Sequence, residues 1–554
     1  MPSPNSSWWS NAVIYQIYPR SFCDSNGDGI GDLAGIASKL DYLQNLGVDA
    51  LWLSPVYPSP NDDNGYDISD YDGIHPDYGT LKDFESLLAD MKARGLRLIM
   101  DQVVNHTSDE HPWFIESRSR KTSPKRDWYH WHPGRPDPAG GRALPPNNWK
   151  AAFEGSAWQW DDETGEYYLH LFSRKQPDLN WTNPEVRDAI FAMLNRWLDR
   201  GVDGFRLDVI NMLAKAPGWP DVERLDGDQG GDDFLPLGAL SCNQSGIHEM
   251  LREMRERVFA GRDVFIVGET WCVDPSNILD YIDRDAGSLN ACFTFYFHYC
   301  KSGAEQWRNF QALYEVTRGR APLTVTLGNH DSRRQLSKLG DPANHPRESA
   351  IVLATWLLTL PAIPFLFQGE ELGLTDAVFD RIEDYRDIQT LNRHNKLIVD
   401  GVSPQVALEQ VRVDSRDSAR TPMPWRSEQG GGFTLGTPWI RLTEAHFARN
   451  AASAVADDRS IFHAYRQLIA LRSTHPCLRV EASFEPVFVS GAVLVFRRSI
   501  GSESLLVVLN WSGQEQSWPL TRPTSQLLFH SHIAVNGEQL RPWETLIFAG
   551  MSGP

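Results

Sequence analysis

The stretch G-V-D-G-F-R-L-D-V-I-N, Gly201 to Asn211, decides the fold. Its centre, Gly204 to Asp208, has the length of a buried strand and ends on a carboxylate. Arg206 and Asp208 lie two residues apart, so in a strand both point to one side, where the cation can hold the acid ionised. Just before it, Val186 to Arg200 has the length and pattern of an amphipathic helix. The same unit recurs on either side. Ala12 to Tyr18, Ala50 to Leu53, Leu96 to Val104, Val264 to Gly268, Leu323 to Leu327 and Ile363 to Gln368 read as short strands, separated by helical stretches such as Leu81 to Arg94. Cys292 to Phe297 supplies an eighth strand. Strands alternating with helices imply right-handed crossovers and a parallel sheet. Eight of them close into a (β/α)8 barrel, whose chemistry sits at the carboxyl ends of the strands.

From about Thr107 to Gln176 the alternation breaks into a segment rich in Trp, Pro, Gly and charge, including P-G-R-P-D-P-A-G-G-R. It reads as a subdomain inserted after the third strand. Beyond Ser460 a helix carrying Ile461, Tyr465, Leu468 and Ile469 leads into Ala492 to Arg497, Ser504 to Leu509 and Glu544 to Phe548, which are antiparallel-sheet signals. The expected α/β architecture is a TIM barrel over residues 1–106 and 177–475. An inserted subdomain occupies 107–176, and a C-terminal antiparallel β-sandwich domain occupies 476–554.

The 554 residues include 53 basic and 72 acidic side chains, a net charge of −19. Such a chain repels phosphate backbones and anionic headgroups, so neither nucleic acid nor a membrane surface is an expected partner. The apolar run Ile351 to Phe367 is interrupted by Pro361 and Pro364 and reads as a helix end followed by a strand, not a membrane span. Six cysteines without C-x-x-C spacing, and an M-P-S-P-N-S-S-W-W start unlike a secretory signal, point to a cytoplasmic protein without disulfides. The 20 Trp residues can stack on sugar rings as well as fill a core.

Asp208 ends G-F-R-L-D, Glu269 ends I-V-G-E and Asp331 ends G-N-H-D, each at or just after a barrel strand. One aspartate at a strand end is commonly a cap or turn residue. Three acids at one end of one barrel converge on a single pocket, and paired carboxylates are what glycoside hydrolysis requires. Elsewhere, D-S-N-G-D-G-I-G-D (Asp24 to Asp32) matches the first half of an EF-hand loop, but Gly35 stands where the twelfth-position glutamate belongs. It reads either as a different cation loop or as a solvated Asx/Gly turn. His106 and His330 lack metal-ligand spacing, and no nearby pair completes a zinc set with His130 and His132.

The chain resembles the α-amylase-type glycoside hydrolases, the (β/α)8 family that includes oligo-1,6-glucosidases, dextran glucosidases and α-glucosidases. The matches are A-V-I-Y-Q-I-Y-P-R-S-F, G-Y-D-I-S-D-Y, D-Q-V-V-N-H-T-S, G-V-D-G-F-R-L-D-V-I-N, V-G-E-T, L-G-N-H-D and S-R-D-S-A-R-T-P-M-P-W, running from Trp8 to about Trp425. The resemblance implies Asp208 as nucleophile, Glu269 as acid and base, and Asp331 as a group that binds sugar hydroxyls. It implies that His106 and His330 bond the terminal glucose, that Tyr66 stacks on it, and that Asp67 and Arg416 grip its far edge, making the enzyme exo-acting. Phe172, Gln176, Arg206 and Val209 complete the implied substrate-binding set, with Arg206 orienting the nucleophile. It also implies a structural Ca2+ (or Mg2+) held by Asp24, Asn26, Asp28, the Ile30 carbonyl and Asp32.

Valine after the nucleophile goes with α-1,6 preference in the resembling subfamily, and here that residue is Val209. The implied activity is release of α-glucose from short α-1,6-linked gluco-oligosaccharides such as isomaltose, isomaltotriose and panose, by a monomer or homodimer. Alternatives are an α-1,4-glucosidase, a transglucosidase, a trehalose-6-phosphate hydrolase and a sucrose isomerase, whose R-x-D-R-D motif has no counterpart in Phe297 to Trp307. A non-enzymic relative would lack the carboxylate set. The chain departs from the family pattern at N-Q-S-G-I-H, Asn243 to His248, and is short between Gly287 and Leu323.

Overall fold

The computed structural model describes residues 7–223, 235–236, 238–520, 525–532 and 539–551. Eight parallel strands form the barrel: β1 (Ile14–Ile17), β2 (Ala50–Leu53), β3 (Arg97–Val103), β4 (Gly204–Asp208), β5 (Phe265–Thr270), β6 (Ala291–Thr294), β7 (Leu323–Thr326) and β8 (Ala362–Phe367). Their order is β6-β5-β4-β3-β2-β1-β8-β7. Between β6 and β7 a side chain bridges the seam, as the Thr324 hydroxyl donates to the Cys292 carbonyl at 2.7 Å.

One expectation needs correction. The eighth strand stops at Thr294, and Phe295–His298 is a turn of helix. The aromatic run A-C-F-T-F-Y-F-H has strand propensity throughout, but the Thr294 hydroxyl accepts from the Tyr296 N–H and caps a helix instead. That turn swings Phe295 and Tyr299 to the barrel mouth.

The helices form where caps and apolar spacing agree. α1 (Leu81–Ala93) starts at a Thr80–Asp83 capping box and buries Phe84, Leu87, Leu88 and Met91 along one stripe. α2 (Pro184–Arg200) has proline at its first position, an Asn183 cap and a left-handed Gly201 at its end. α3 (Pro346–Thr359) stops before Pro361, and β8 follows at Ala362. Between β3 and β4, Trp131–His132, Glu166–Leu169 and Trp158–Asp161 form a small antiparallel sheet beside the mouth.

After α4 (Ile461–Thr474) comes an antiparallel sheet of β9 (Ser483–Ser490), β10 (Val493–Ile500), β11 (Glu503–Asn510), β12 (Leu527–His530) and β13 (Thr545–Met551). A short ribbon, Gln516–Ser517 with Gln539–Leu540, contributes Leu540 to the apolar cluster on one face of this sheet. Two buried arginines meet the end of α3, and one of them, Arg498 on β10, ties the sheet to the barrel. Arg472 donates to the carbonyls of Leu358 and Leu360 at 3.0 Å and of Ala362 at 2.5 Å. Arg498 donates to the carbonyls of Thr359 and Arg479. Each satisfies carbonyls freed where α3 ends, and burial lowers Arg472 to about 10 and Arg498 to about 9.

Candidate active site

The pocket is built at the carboxyl ends of the barrel strands. Arg206 on β4 lies in register with Asp101 on β3, and its Nη1 donates to Asp101 Oδ1 at 2.8 Å and to Asp208 Oδ1 at 2.6 Å. Its Nη2 donates to Glu269 Oε2 on β5 at 2.6 Å. One guanidinium thus gathers three carboxylates, all buried. Burial pushes the Asp208 carboxyl up, Arg206 opposes that, and Glu269 and Asp101 push it up further. Burial likewise raises Asp101 to about 6 against the pull of Arg206.

Asp331 has the opposite environment. Burial alone would raise it, but His330, Arg416, Arg420 and Arg206 hold it well below the usual carboxylate range. Arg420 Nη2 donates to its Oδ1 at 2.6 Å, and His330 Nε2 lies 3.1 Å from its Oδ2. His330 accepts from Gln16 Nε2 at its Nδ1, 2.8 Å away, which leaves the hydrogen on Nε2, toward Asp331. Tyr66 stacks on the His330 ring at 5.2 Å and donates to Asp101 Oδ2 at 2.9 Å.

At the closed end, Arg416 pairs with Asp387 at 2.6 Å, Asp63 at 3.0 Å and Asp331 at 3.3 Å. The residue expected opposite Arg416 was Asp67, and the structure corrects this to Asp63. Asp67 lies behind the pocket, fully buried, accepting from the Asp62 and Asp63 N–H groups and the Ser59 hydroxyl. Burial lifts its carboxyl to about 7, so it shapes the loop that aims Asp63. Gln176 Nε2 donates to Asp63 Oδ2 at 3.2 Å. His106 donates to the Tyr66 carbonyl at 3.1 Å, and its ring lies 5.3 Å from that of Phe172. Asp101, Asp387 and Arg420 were not singled out from sequence. Asp387 also caps the helix Ile388–Val399, so it reads there as an ordinary N-cap.

The opposite rim is aromatic. Trp271 and Phe295 have ring centroids 4.1 Å apart, and Phe295 stacks on Tyr299 at 6.0 Å. Tyr299 is 64% exposed, yet partial desolvation raises its phenol, and Glu269 and Asp331 are near enough for their charge to push it up further. Val209 turns the chain sharply after Asp208 at φ +38°, a costly conformation for a β-branched residue. The turn points the Val209 N–H at Glu269 Oε2, 3.3 Å away, and packs the side chain into the cluster of Trp149, Met212 and Cys242.

In the Asp24–Asp32 loop, Asp24 accepts from the Asn26, Gly27 and Gly29 N–H groups. Asn26 accepts from Asp28 N–H, Asp28 from Ile30 N–H, and Asp32 from the N–H groups of Ser25 and Gly35. A Cβ on Gly29 would stand 1.9 Å from the Thr437 carbonyl oxygen, so only glycine fits its φ of +93°. The side chains offer hard oxygen donors at alternating positions, a set that fits Ca2+ or Mg2+.

Residues 16–481 match the family model described as alpha amylase, catalytic domain. An oligo-1,6-glucosidase of Parageobacillus thermoglucosidasius is 44% identical, with 98% of each chain covered. An alpha-glucosidase of Pediococcus pentosaceus is 42% identical, again over 98% of each. Among solved structures, a trehalulose synthase from Pseudomonas mesoacidophila MX-45 superposes with a TM-score of 0.91 at 38% identity, covering 99% of this chain and 100% of that one.

Proposed function

The chain belongs to the α-amylase catalytic-domain family, and from that premise we propose that it is an exo-acting retaining α-glucosidase. It releases α-glucose from the non-reducing end of short α-1,6-linked gluco-oligosaccharides such as isomaltose, isomaltotriose and panose. The observation that carries this is Arg206 bonded at once to Asp208 and Glu269, which holds the two carboxyls as close as a retaining pair must be.

Asp208 attacks the anomeric carbon and forms a β-linked glucosyl ester, while the proton on Glu269 passes to the departing oxygen. Water then attacks the anomeric carbon of the ester as Glu269 takes one of its protons, and Asp208 leaves as carboxylate. Arg206 orients Asp208 and offsets its charge. Asp331, ionised between His330 and two arginines, accepts hydroxyl hydrogen bonds and favours the positive charge that develops on the sugar. Asp63, paired with Arg416, closes the pocket beyond the terminal glucose, and a closed end admits only a chain end. His106, Tyr66, Gln176 and Phe172 frame that glucose.

Asp24, Asn26, Asp28, Asp32 and the Ile30 carbonyl would hold a structural Ca2+ or Mg2+ that contributes charge to the loop and no catalytic step. Chelation should then lower the melting temperature at unchanged initial rate below that temperature. Among the described residues no helix is long and apolar enough to cross a membrane. Initial rates on isomaltose, maltose, sucrose and trehalose 6-phosphate test the substrate, with NMR of the first-released anomer. Fastest turnover of isomaltose with α-glucose appearing first is expected. Preference for maltose would make it an α-1,4-glucosidase, and β-glucose first would refute double displacement.

A further inference from the structure

The C-terminal sheet carries a cluster that takes no part in the chemistry above. His530 ends β12, His532 follows two residues later, and Glu544 directly precedes β13, which pairs with β12 through His530 and Leu546. One ligand atom from each of His530, His532 and Glu544 lies within 4.8 Å of the others. His530 Nε2 and Glu544 Oε1 are 2.7 Å apart, close enough to share one ion. Each partner is oriented from behind. The Arg541 N–H donates to Glu544 Oε2 at 2.8 Å, leaving Oε1 to face the histidines. Ser531 Oγ lies 2.9 Å from His532 Nδ1, which fixes that ring. The Thr545 N–H in turn donates to Ser531 Oγ at 2.9 Å. Supporting contacts of this kind fix ring orientation and raise ligand basicity at metal sites.

We propose that His530, His532 and Glu544 form a second cation site, for a borderline transition metal such as Zn2+. Two imidazoles and one carboxylate are a donor set typical of zinc, and not the all-oxygen set of the Asp24–Asp32 loop. On binding, the His530 Nε2 hydrogen moves to Nδ1 and the Nε2 lone pair turns to the metal. His532 also lines a cleft of about 590 Å³ with Arg347, Glu348 and Arg541, so the fourth position opens toward water. Glu348 adds favourable charge there, while Arg541 opposes it. Since β12 and β13 each supply ligands, a bound ion staples the edge strand to its neighbour. The cluster His475, Cys477 and Glu503 has similar spacing, but burial pushes the Cys477 thiol up and away from the thiolate a metal needs.

The test titrates the metal-stripped full chain with Zn2+ against a chromophoric zinc indicator. One equivalent should compete with the indicator, and Zn2+ should raise the melting temperature. Co2+ in its place should give tetrahedral visible absorption. His532→Ala should weaken binding more than about tenfold and abolish the thermal shift. His530→Gln should do the same, and His475→Ala should change neither. Comparing metal-free melting temperatures of wild type and variants separates lost ligation from lost folding. Zinc bound as tightly by both His532→Ala and His530→Gln as by wild type, or no competition by wild type, would overturn the proposal.

Discussion

At one end of the pocket Arg416 lies among Asp63, Asp331 and Asp387, with no contact longer than 3.3 Å. At the other, Phe295 lies against Trp271 and stacks on Tyr299, which is largely exposed. A buried ionic network is unforgiving, because removing one member leaves its partners charged and unpaired, at about 3–5 kcal/mol. An aromatic rim is permissive, since one ring contact contributes about 0.5–1.5 kcal/mol and can be replaced by another. The closed end should therefore govern whether any glucoside turns over, and the open end which one turns over fastest.

The largest effect should come from the group both ends serve. Asp208→Asn removes the nucleophile and should lower kcat by several orders of magnitude on every substrate, with circular dichroism unchanged. Near-normal turnover would dismiss Asp208 as nucleophile and the comparison with it.

Next comes the closed end itself. Asp63→Asn should cut kcat/KM about 100-fold or more on isomaltose and maltose alike, because Arg416 loses a partner in the pocket. Asp67→Asn should cost much less activity and show mainly as a lower melting temperature, since Asp67 only braces the loop. Equal kinetic loss in both variants would erase the distinction between gripping and bracing.

The closed end should also respond to acid. Burial lowers His106 to about 4 and His330 to about 3, against about 6.5 for an unfolded histidine. At these two rings the folded state binds fewer protons between those values, so their contribution to stability is complete above pH ~6.5 and declines as pH falls through that window. Asp67 and Asp101, raised to about 7 and about 6, contribute in the opposite sense. Wild type is therefore expected to lose more melting temperature between pH ~6.5 and ~4 than a variant carrying both His106→Gln and His330→Gln, and equal losses would mean that both rings are protonated without cost in the folded chain.

Most of the barrel could be read because apolar runs, helix caps and terminal acids agree at each strand, as at Gly204 to Asp208. The lapses occur where local pattern and tertiary role diverge. Asp63 and Asp67 sit four residues apart in one loop, and spacing cannot tell which carboxylate points inward when no helix or strand sets its direction. Asp387 was hidden by being a good N-cap, a role that accounts for it locally. Asp101 lies mid-strand in D-Q-V-V, where a buried acid makes sense only once register places Arg206 beside it. The aromatic run after Cys292 misled because propensity favours a strand while the Thr294 cap and the barrel's geometry favour a turn.

The smallest effect belongs to the open end and concerns Val209. Threonine is also β-branched, so the strain at φ +38° is common to both residues and cancels in the comparison. What changes is a methyl for a hydroxyl in the cluster that holds Trp149, Met212 and Cys242, one residue from Asp208. A hydrogen bond to the leaving sugar contributes about 0.5–1.5 kcal/mol, so Val209→Thr should raise the maltose-to-isomaltose ratio of kcat/KM a few-fold to about tenfold. Absolute rates should move little, because Asp63, His106, His330 and Arg416 are untouched. If the hydroxyl finds no sugar partner, it is instead a buried polar group without a bond, and the variant loses stability and activity on both substrates at a constant ratio. That result would make Val209 packing alone and shift the choice of linkage to the aromatic rim, where Phe295→Ala should then alter the ratio that Val209→Thr left unchanged.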